Sequence, residues 1–238
     1  MNTLDSAMNG APLKVEHPRD FFARAEVLSG TYFDITEKEY CESLRISNIN
    51  IEGLSDEDKY LLNGKSTESK IKAIVFAAMC VEAAINDYAG SQLGDKYYQQ
   101  HLVNLDVVSK WVVIPLLICG NSLDKSGPAF ASLKKLIKAR NNLIHNKSFE
   151  MDASDPIALV HKLDKRELEF EDDFTNSLRT LYLLSMEISY VVGNYHNPIR
   201  IFNDKTNPFQ EVPSLAKPLF TACQKTVSEI HNKAIKRN

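Results

Sequence analysis

The chain of 238 residues carries 28 basic and 31 acidic side chains, giving a formal net charge of −3, and 44% of its residues are apolar. These proportions are ordinary for a globular protein in water and are sufficient for a sizeable buried core. They exclude a broadly basic surface for nucleic acid, so any contact with RNA must come from a local patch.

The cysteines and the apolar runs exclude further classes. No pair of cysteines has Cys-x-x-Cys spacing, so neither a zinc site nor a disulfide framework is indicated for Cys41, Cys80, Cys119 and Cys223. Residues 1–15 lack the apolar stretch of a secretory signal, and the longest apolar run, residues 111–119, is too short to cross a bilayer. We expect a cytoplasmic protein without a membrane span.

The N-terminal part is predicted to hold only short elements. Residues 1–17 show no apolar period and are interpreted as a loose tail. Local start and stop signals then predict a helix over residues 20–28 ended by Gly30, a helix from Thr36 to about Arg45, a weak extended segment over residues 46–51, and a helix from Ser55 to about Leu62 stopped by Asn63-Gly64. Because these elements are short, residues 1–65 are expected to wrap a main domain.

The main domain is predicted to begin with a long helix. Ser66 and Thr67 are interpreted as its caps, and an apolar period continues to about Gly90. Glu82 falls near the apolar face of this helix, where a carboxylate needs a partner. Further along, Asp106 to Ile118 is predicted to be a helix kinked or broken by Pro115.

Three more segments complete the chain. A helix is predicted from Pro128 to about Asn146-Lys147, whereas residues 157–168 are left open between a short helix and a loop. Asp172 or Asp173 is expected to open another long helix that ends at Gly193, and Ser214 a last one after a proline-rich connection. The prediction is an all-α fold with a main helical domain over residues 66–195, flanked by residues 1–65 and by a connection and helix over residues 196–238.

The stretch Arg140-Asn141-Asn142-Leu143-Ile144-His145 lies near the end of the helix that starts at Pro128. Residues four apart lie on one face of a helix, so Asn141 and His145 are expected to point the same way with Arg140 beside them, while Leu143 and Ile144 pack inward. A permanent cation, an amide and an imidazole along one edge suit a phosphate.

These residue types suit cleavage of RNA without a metal ion or other cofactor. In that reaction the ribose 2′-hydroxyl loses a proton as it attacks the neighbouring phosphate, and the 5′-oxygen gains one. His145 is the candidate acid or base, Arg140 the candidate ligand of the phosphoryl charge, and Asn141 the group that orients phosphate or imidazole. One histidine cannot serve both sides of a phosphorus atom, so a two-fold homodimer is expected to complete the site.

An Arg-Asn-x-x-x-His segment late in a helix of an all-helical chain resembles the HEPN superfamily. Residues 76–88, which include Glu82, resemble the earlier long helix of that family, and Lys110-Trp111 followed by Pro115 resembles the middle of bacterial members. The resemblance covers residues 66–195. It implies an antiparallel helical bundle, a composite ribonuclease site in a homodimer, and Glu82 as the partner of Arg140.

The same resemblance implies a role as a microbial toxin or antiphage effector. Because the chain holds no nucleotidyltransferase-like or ATPase motif that could restrain it, an antitoxin or sensor protein in a separate chain is expected.

Other interpretations of the same residues stay open. The chain could be a non-catalytic HEPN-like module that binds RNA, nucleotide or a partner protein through this edge, or a structural protein in which the edge only binds the last helix carbonyls and complements the helix dipole. The basic end of the last helix is either a solvated terminus or the local RNA patch. No metal site is predicted, because metal spacing is absent among His101, His161, His196 and His231.

Overall fold

A computed structural model describes residues 15–19, 24–145, 148, 154–202 and 211–235. Helices are the only regular secondary structure among the described residues, so the predicted all-α class is confirmed. In chain order these are α1 (Ser29–Ser47), α2 (Asp56–Leu93), α3 (Asp95–His101), α4 (Val107–Cys119), α5 (Pro128–Ile144), α6 (Pro156–Val192), a 3-10 turn (Asn194–His196) and α7 (Lys217–Ile235).

The two longest helices, α2 and α6, carry the core, and the others pack on them. Helix α1 lies along α2, α4 packs on α2, α5 packs on both long helices, and α7 packs on α6. The largest fully buried side chains include Trp111 of α4, Tyr182 of α6 and Leu133 of α5. Burial of these apolar groups is the main force that holds the helices together.

Side-chain contacts show that α1 runs antiparallel to α2, and α5 antiparallel to α6. Ser43 and Ser66 hydroxyls lie 3.1 Å apart, while the Cys80 thiol donates to the Ser29 carbonyl oxygen, so the end of α1 meets the start of α2. In the same way, Ser132 of α5 contacts Thr180 of α6, while Lys135 pairs with Asp172 earlier in α6. Helix α5 therefore runs opposite to α6.

Helix α1 differs from the sequence prediction at both ends. It begins at Ser29, Gly30 is its second residue, and Thr36 lies inside it rather than at its start. Thr36 is buried and its hydroxyl donates back to the Tyr32 carbonyl oxygen at 2.8 Å, a bond that an interior helical threonine makes. Most of the predicted tail (1–17) and part of the predicted helix (20–28) lie outside the described residues. Residues 24–28 are not helical, and residues 46–51 form a helix end and turn.

Helix α2 also corrects the prediction, because it runs unbroken for 38 residues. Ser55 caps it as expected, accepting from the Asp58 backbone N–H, but Asn63-Gly64 does not stop it and Ser66 does not cap a new helix. A glycine inside a helix costs only about 1 kcal/mol, which packing against α1 offsets. The domain boundary predicted at residue 65 therefore falls inside one continuous helix.

Of the later helices, α4 is less interrupted and α6 longer than predicted, whereas α5 and α7 are slightly shorter. Helix α4 continues through the buried Pro115. Helix α6 starts at Pro156 with the Asp155 cap, so residues 157–168 are helical and Asp172 and Asp173 lie within the helix. Helix α5 ends at Ile144, and the predicted stop at residues 146–147 lies outside the described residues. Helix α7 begins at Lys217, after a turn at residues 214–216.

One window of α2 has the length and apolarity of a membrane-spanning helix, with a mean hydropathy of 1.3. Within the fold, 61% of that window is buried by other helices of the chain. Its apolarity is therefore accounted for by packing in the helical core.

Candidate functional site

Helix α5 presents the hexapeptide from Arg140 to His145 because its opposite face is anchored in the core. Leu133 and Leu136 are fully buried, whereas Lys134, Lys138 and Asn141 are exposed on the other side. Pro128 occupies the first turn, where its missing N–H leaves no bond unmade. This amphipathic division sets which side chains of α5 face water.

A buried polar cluster fixes α5 against α6. The Ser132 hydroxyl donates to the Asn176 side-chain oxygen at 2.6 Å, and the Asn176 amide donates to the Ser132 carbonyl oxygen at 2.9 Å. The Thr180 hydroxyl lies 2.9 Å from that of Ser132. Because each group depends on the others for its hydrogen bonds, the cluster holds both the register and the rotation of α5.

Arg140 reaches across to α2. Its Nη2 atom lies 3.5 Å from Oε2 of Glu82, with 26% of the Arg140 side chain and 43% of the Glu82 side chain exposed. The contact between Glu82 and Arg140 is therefore present, although Glu82 lies at the edge of the apolar face and is not buried. The ion pair orients the guanidinium and leaves part of it open to solvent.

The other polar residues of the hexapeptide are fully accessible. Asn141, Asn142 and His145 are exposed, and their side chains hydrogen-bond to no residue in the described part of the chain. His145 follows the last helical residue, and its backbone N–H donates to the Asn141 carbonyl oxygen at 2.9 Å. Asn141 and His145 thus remain one helical turn apart at the surface.

The predicted inward packing of the two apolar residues of the hexapeptide is only partly correct. Leu143 is half-buried and packs against the core, whereas 56% of Ile144 is exposed. An exposed isoleucine beside His145 adds apolar surface to the site.

Two open grooves flank the exposed side of α5. The groove between α4 and α5 is lined by Asp106, Val108, Lys134, Ile137, Lys138, Asn141 and Asn142. The groove between α5 and α6 shares two of these lysines and is lined by Lys134, Lys135, Lys138, Asn142, Glu169, Asp172 and Asp173. Lys134, Lys138 and Asn142 follow one another at intervals of four residues and therefore share a face, but the sequence alone did not point to the two lysines.

No group of three or more His, Cys, Asp or Glu side chains suited to a metal ion occurs among the described residues. His231 instead lies 3.1 Å from Oε2 of Glu187 and stacks on Tyr190. Burial raises the pKa of the Cys80 thiol to about 12 and that of Cys223 to about 11. These two thiols are therefore neutral at physiological pH and unsuited to nucleophilic attack.

No family model, curated protein or solved structure matches the chain. The resemblance to the HEPN superfamily therefore stays a prediction, and function has to be inferred from the residues and their geometry.

Proposed function

We propose that this protein is a metal-independent endoribonuclease of HEPN type, with a bundle of the corresponding arrangement, and that Arg140, Asn141 and His145 form its active site. One observation carries the proposal. A cation oriented by Glu82, an amide in the last turn of α5 and an imidazole on the residue after the helix lie together, and all three are accessible to a large substrate.

Each residue has a defined task in this reaction. Arg140 donates hydrogen bonds to the phosphoryl oxygens as negative charge accumulates on them. His145 takes the proton of the 2′-hydroxyl or returns one to the 5′-oxygen, and it is exposed directly after the last helical residue of α5. Asn141 orients the scissile phosphate. The products are a 2′,3′-cyclic phosphate and a 5′-hydroxyl.

A second copy of the chain supplies the second histidine that the reaction requires. Exposed apolar side chains occur on the end of α5 and on the first turns of α6, with exposed fractions of 56% for Ile144, 73% for Ile157, 54% for Val160, 43% for Leu163 and 71% for Leu168. At about 100° per residue, the four on α6 fall within about 140° of one another around its axis. This stripe is the face on which we place the partner copy.

The biological part of the proposal follows from the resemblance. A ribonuclease of this kind acts in the cytoplasm as a toxin or antiphage effector and is restrained by an antitoxin or sensor in a separate chain.

Expression in a bacterial host tests the proposal. The wild type should arrest growth and degrade cellular RNA, whereas His145→Ala and Arg140→Ala should do neither while keeping the helical circular dichroism spectrum and oligomeric state of the wild type. Lys38→Gln, an exposed change on α1, serves as the matched control and should be as toxic as the wild type. Equal growth with the wild type and His145→Ala would contradict catalysis.

One observation favours the alternative of a non-catalytic binding module. Glu82 already compensates part of the Arg140 charge, which weakens the hold of that guanidinium on a phosphate. In that case wild type and His145→Ala would bind RNA, nucleotide or a partner protein equally, and neither would cut RNA.

A further inference from the structure

The lysines of α5 differ in how their charge is compensated. Lys135 forms ion pairs with Asp172 and with Asp173, the latter at 3.8 Å. Lys134 lies over the Phe130 ring, with its Nζ atom 5.9 Å from the ring centroid. Within the described residues, neither Lys134 nor Lys138 forms an ion pair with a carboxylate, although Lys138 is near enough to Asp173 to oppose, together with Lys135, the rise that burial causes in the pKa of that carboxyl. Two exposed ammonium groups on this face are therefore available to an anion.

These two lysines lead toward the hexapeptide. Positions 134, 138, 142 and 145 are three or four residues apart, so they follow one side of α5 with a rise of about 6 Å for each step of four residues. Successive phosphates of an extended nucleic acid strand have a similar separation. The row therefore offers two cations and an amide in line with His145.

The two grooves beside this row differ in charge. The α5–α6 groove contains three carboxylates, those of Glu169, Asp172 and Asp173, which balance its three lysines and leave no net positive charge for a polyanion. The α4–α5 groove contains one, that of Asp106, which accepts hydrogen bonds from the Ser109 backbone N–H and hydroxyl as the cap of α4.

The α4–α5 groove also offers surface for a base. Besides its lysines and amides, it has apolar lining from Val108 and Ile137. Such a mixture suits a nucleotide, whose phosphates meet cations while its base covers apolar surface.

We infer that the α4–α5 groove is the track of a single-stranded RNA, with Lys134 and Lys138 contacting backbone phosphates beside the scissile one, which Arg140 holds. This inference rests on the proposed function for its choice of RNA as the occupant. On the other side of α5, Lys135 is already paired with Asp172 and Asp173, and the α5–α6 groove therefore offers the strand less positive charge.

Binding of a 2′-O-methyl RNA oligonucleotide, which lacks the attacking hydroxyl, tests the track independently of cleavage. Fluorescence anisotropy over a series of salt concentrations should show Lys134→Gln/Lys138→Gln binding about tenfold more weakly at low salt than the wild type. The slope of log affinity against log salt should fall in magnitude by about 1.4, because each phosphate contact on a single strand contributes about 0.7.

A matched double variant controls for net charge. Lys38→Gln/Lys217→Gln removes two exposed lysines from α1 and α7, which pack on the long helices, and should leave affinity and slope unchanged. Equal affinity and slope for Lys134→Gln/Lys138→Gln and the wild type would overturn the inference. So would displacement of the RNA by a poly-glutamate peptide of the same charge at the same concentration.

Cleavage of an unmodified oligonucleotide separates this inference from the proposed function. The groove variant should show a raised KM with kcat unchanged, whereas His145→Ala should lose kcat and keep the affinity of the wild type for 2′-O-methyl RNA. Loss of binding in the groove variant together with full cleavage by His145→Ala would support the track and refute the proposed active site. Unchanged binding in the groove variant together with loss of cleavage in His145→Ala would refute the track alone.

Discussion

Replacing Glu82 by glutamine tests whether this residue positions Arg140 for catalysis or has no role in it. The Nη2–Oε2 distance is 3.5 Å, and the Glu82 side chain is 43% exposed. Partly exposed ion pairs of this kind contribute about 0.2–1 kcal/mol to the free energy of unfolding. For a chain of this size, about 1 kcal/mol corresponds to roughly 2–4 °C in melting temperature. Glu82→Gln should therefore lower the melting temperature by less than about 4 °C.

The effect on catalysis should be larger than the effect on stability. Without the carboxylate, the guanidinium of Arg140 loses its fixed orientation toward the phosphoryl oxygens, and a misplacement of about 1 Å costs up to about 100-fold in rate. We expect kcat for oligonucleotide cleavage to fall about 10- to 100-fold while KM changes little. Single-turnover cleavage with purified protein measures the chemical step, and thermal unfolding of the same sample measures the stability.

Glu68→Gln provides the matched control, because Glu68 also forms an ion pair on the surface of α2, with Lys72. It lies 14 residues before Glu82, or about 21 Å along the helix, and should leave cleavage unchanged. If Glu82→Gln cleaves RNA as fast as the wild type, Glu82 does not position Arg140. If it unfolds several kcal/mol more easily, its role is structural and the reasoning from its exposure is wrong.

Three other changes probe the fold and the assembly. Glu37 is 8% exposed, and burial raises the pKa of its carboxyl above the usual 4.5, so the stability it contributes is complete below pH 4.5 and is lost as pH rises through the folded pKa. Urea unfolding should therefore show that Glu37→Gln loses less stability than the wild type between pH 4.5 and pH 7, and equal losses would contradict this. Asn176→Ala removes two hydrogen bonds of the buried Ser132, which keeps only its contacts with Thr180, and should cost about 1–3 kcal/mol in the same assay, whereas a change below about 0.5 kcal/mol would mean that the cluster does not anchor α5. Val160→Asp, at an exposed site, should leave the fold intact and convert the dimer to a monomer in analytical ultracentrifugation, and an unchanged dimer would place the interface elsewhere.

Helix α5 was predictable because its local signals and its packing agree. Pro128 at the start and the apolar period through Leu133 and Leu136 both describe the helix that forms. The arrangement of the hexapeptide was predictable for the same reason, since helical spacing determines which residues share a face. The contact between Glu82 and Arg140 joins two helices and was expected only from the resemblance to the HEPN superfamily.

Helices α2 and α6 were misjudged because local signals and packing disagree. Asn63-Gly64 would end an isolated helix, but α1 packs on α2 from the turn that follows, where the buried Ser66 contacts Ser43 instead of capping a new helix. Asp172 resembles a helix start, yet it lies inside α6 and pairs with Lys135. Tertiary contacts of this kind outweigh capping preferences worth about 1 kcal/mol.

The lysine row was missed for a related reason. Lys134, Lys135 and Lys138 look equivalent in the sequence, and only the position of α6 shows which of them is already compensated. The value of a surface charge depends on neighbours that are distant along the chain.

The most direct test of the proposed active site is the chemistry of the RNA ends made by the purified protein in EDTA. The wild type should cut total RNA and tRNA into fragments with 2′,3′-cyclic phosphate and 5′-hydroxyl ends, and Lys38→Gln should do the same. Arg140→Ala and His145→Ala should leave the RNA intact. A folded, dimeric wild type that makes no such ends, or a His145→Ala variant that makes them, would contradict the assignment.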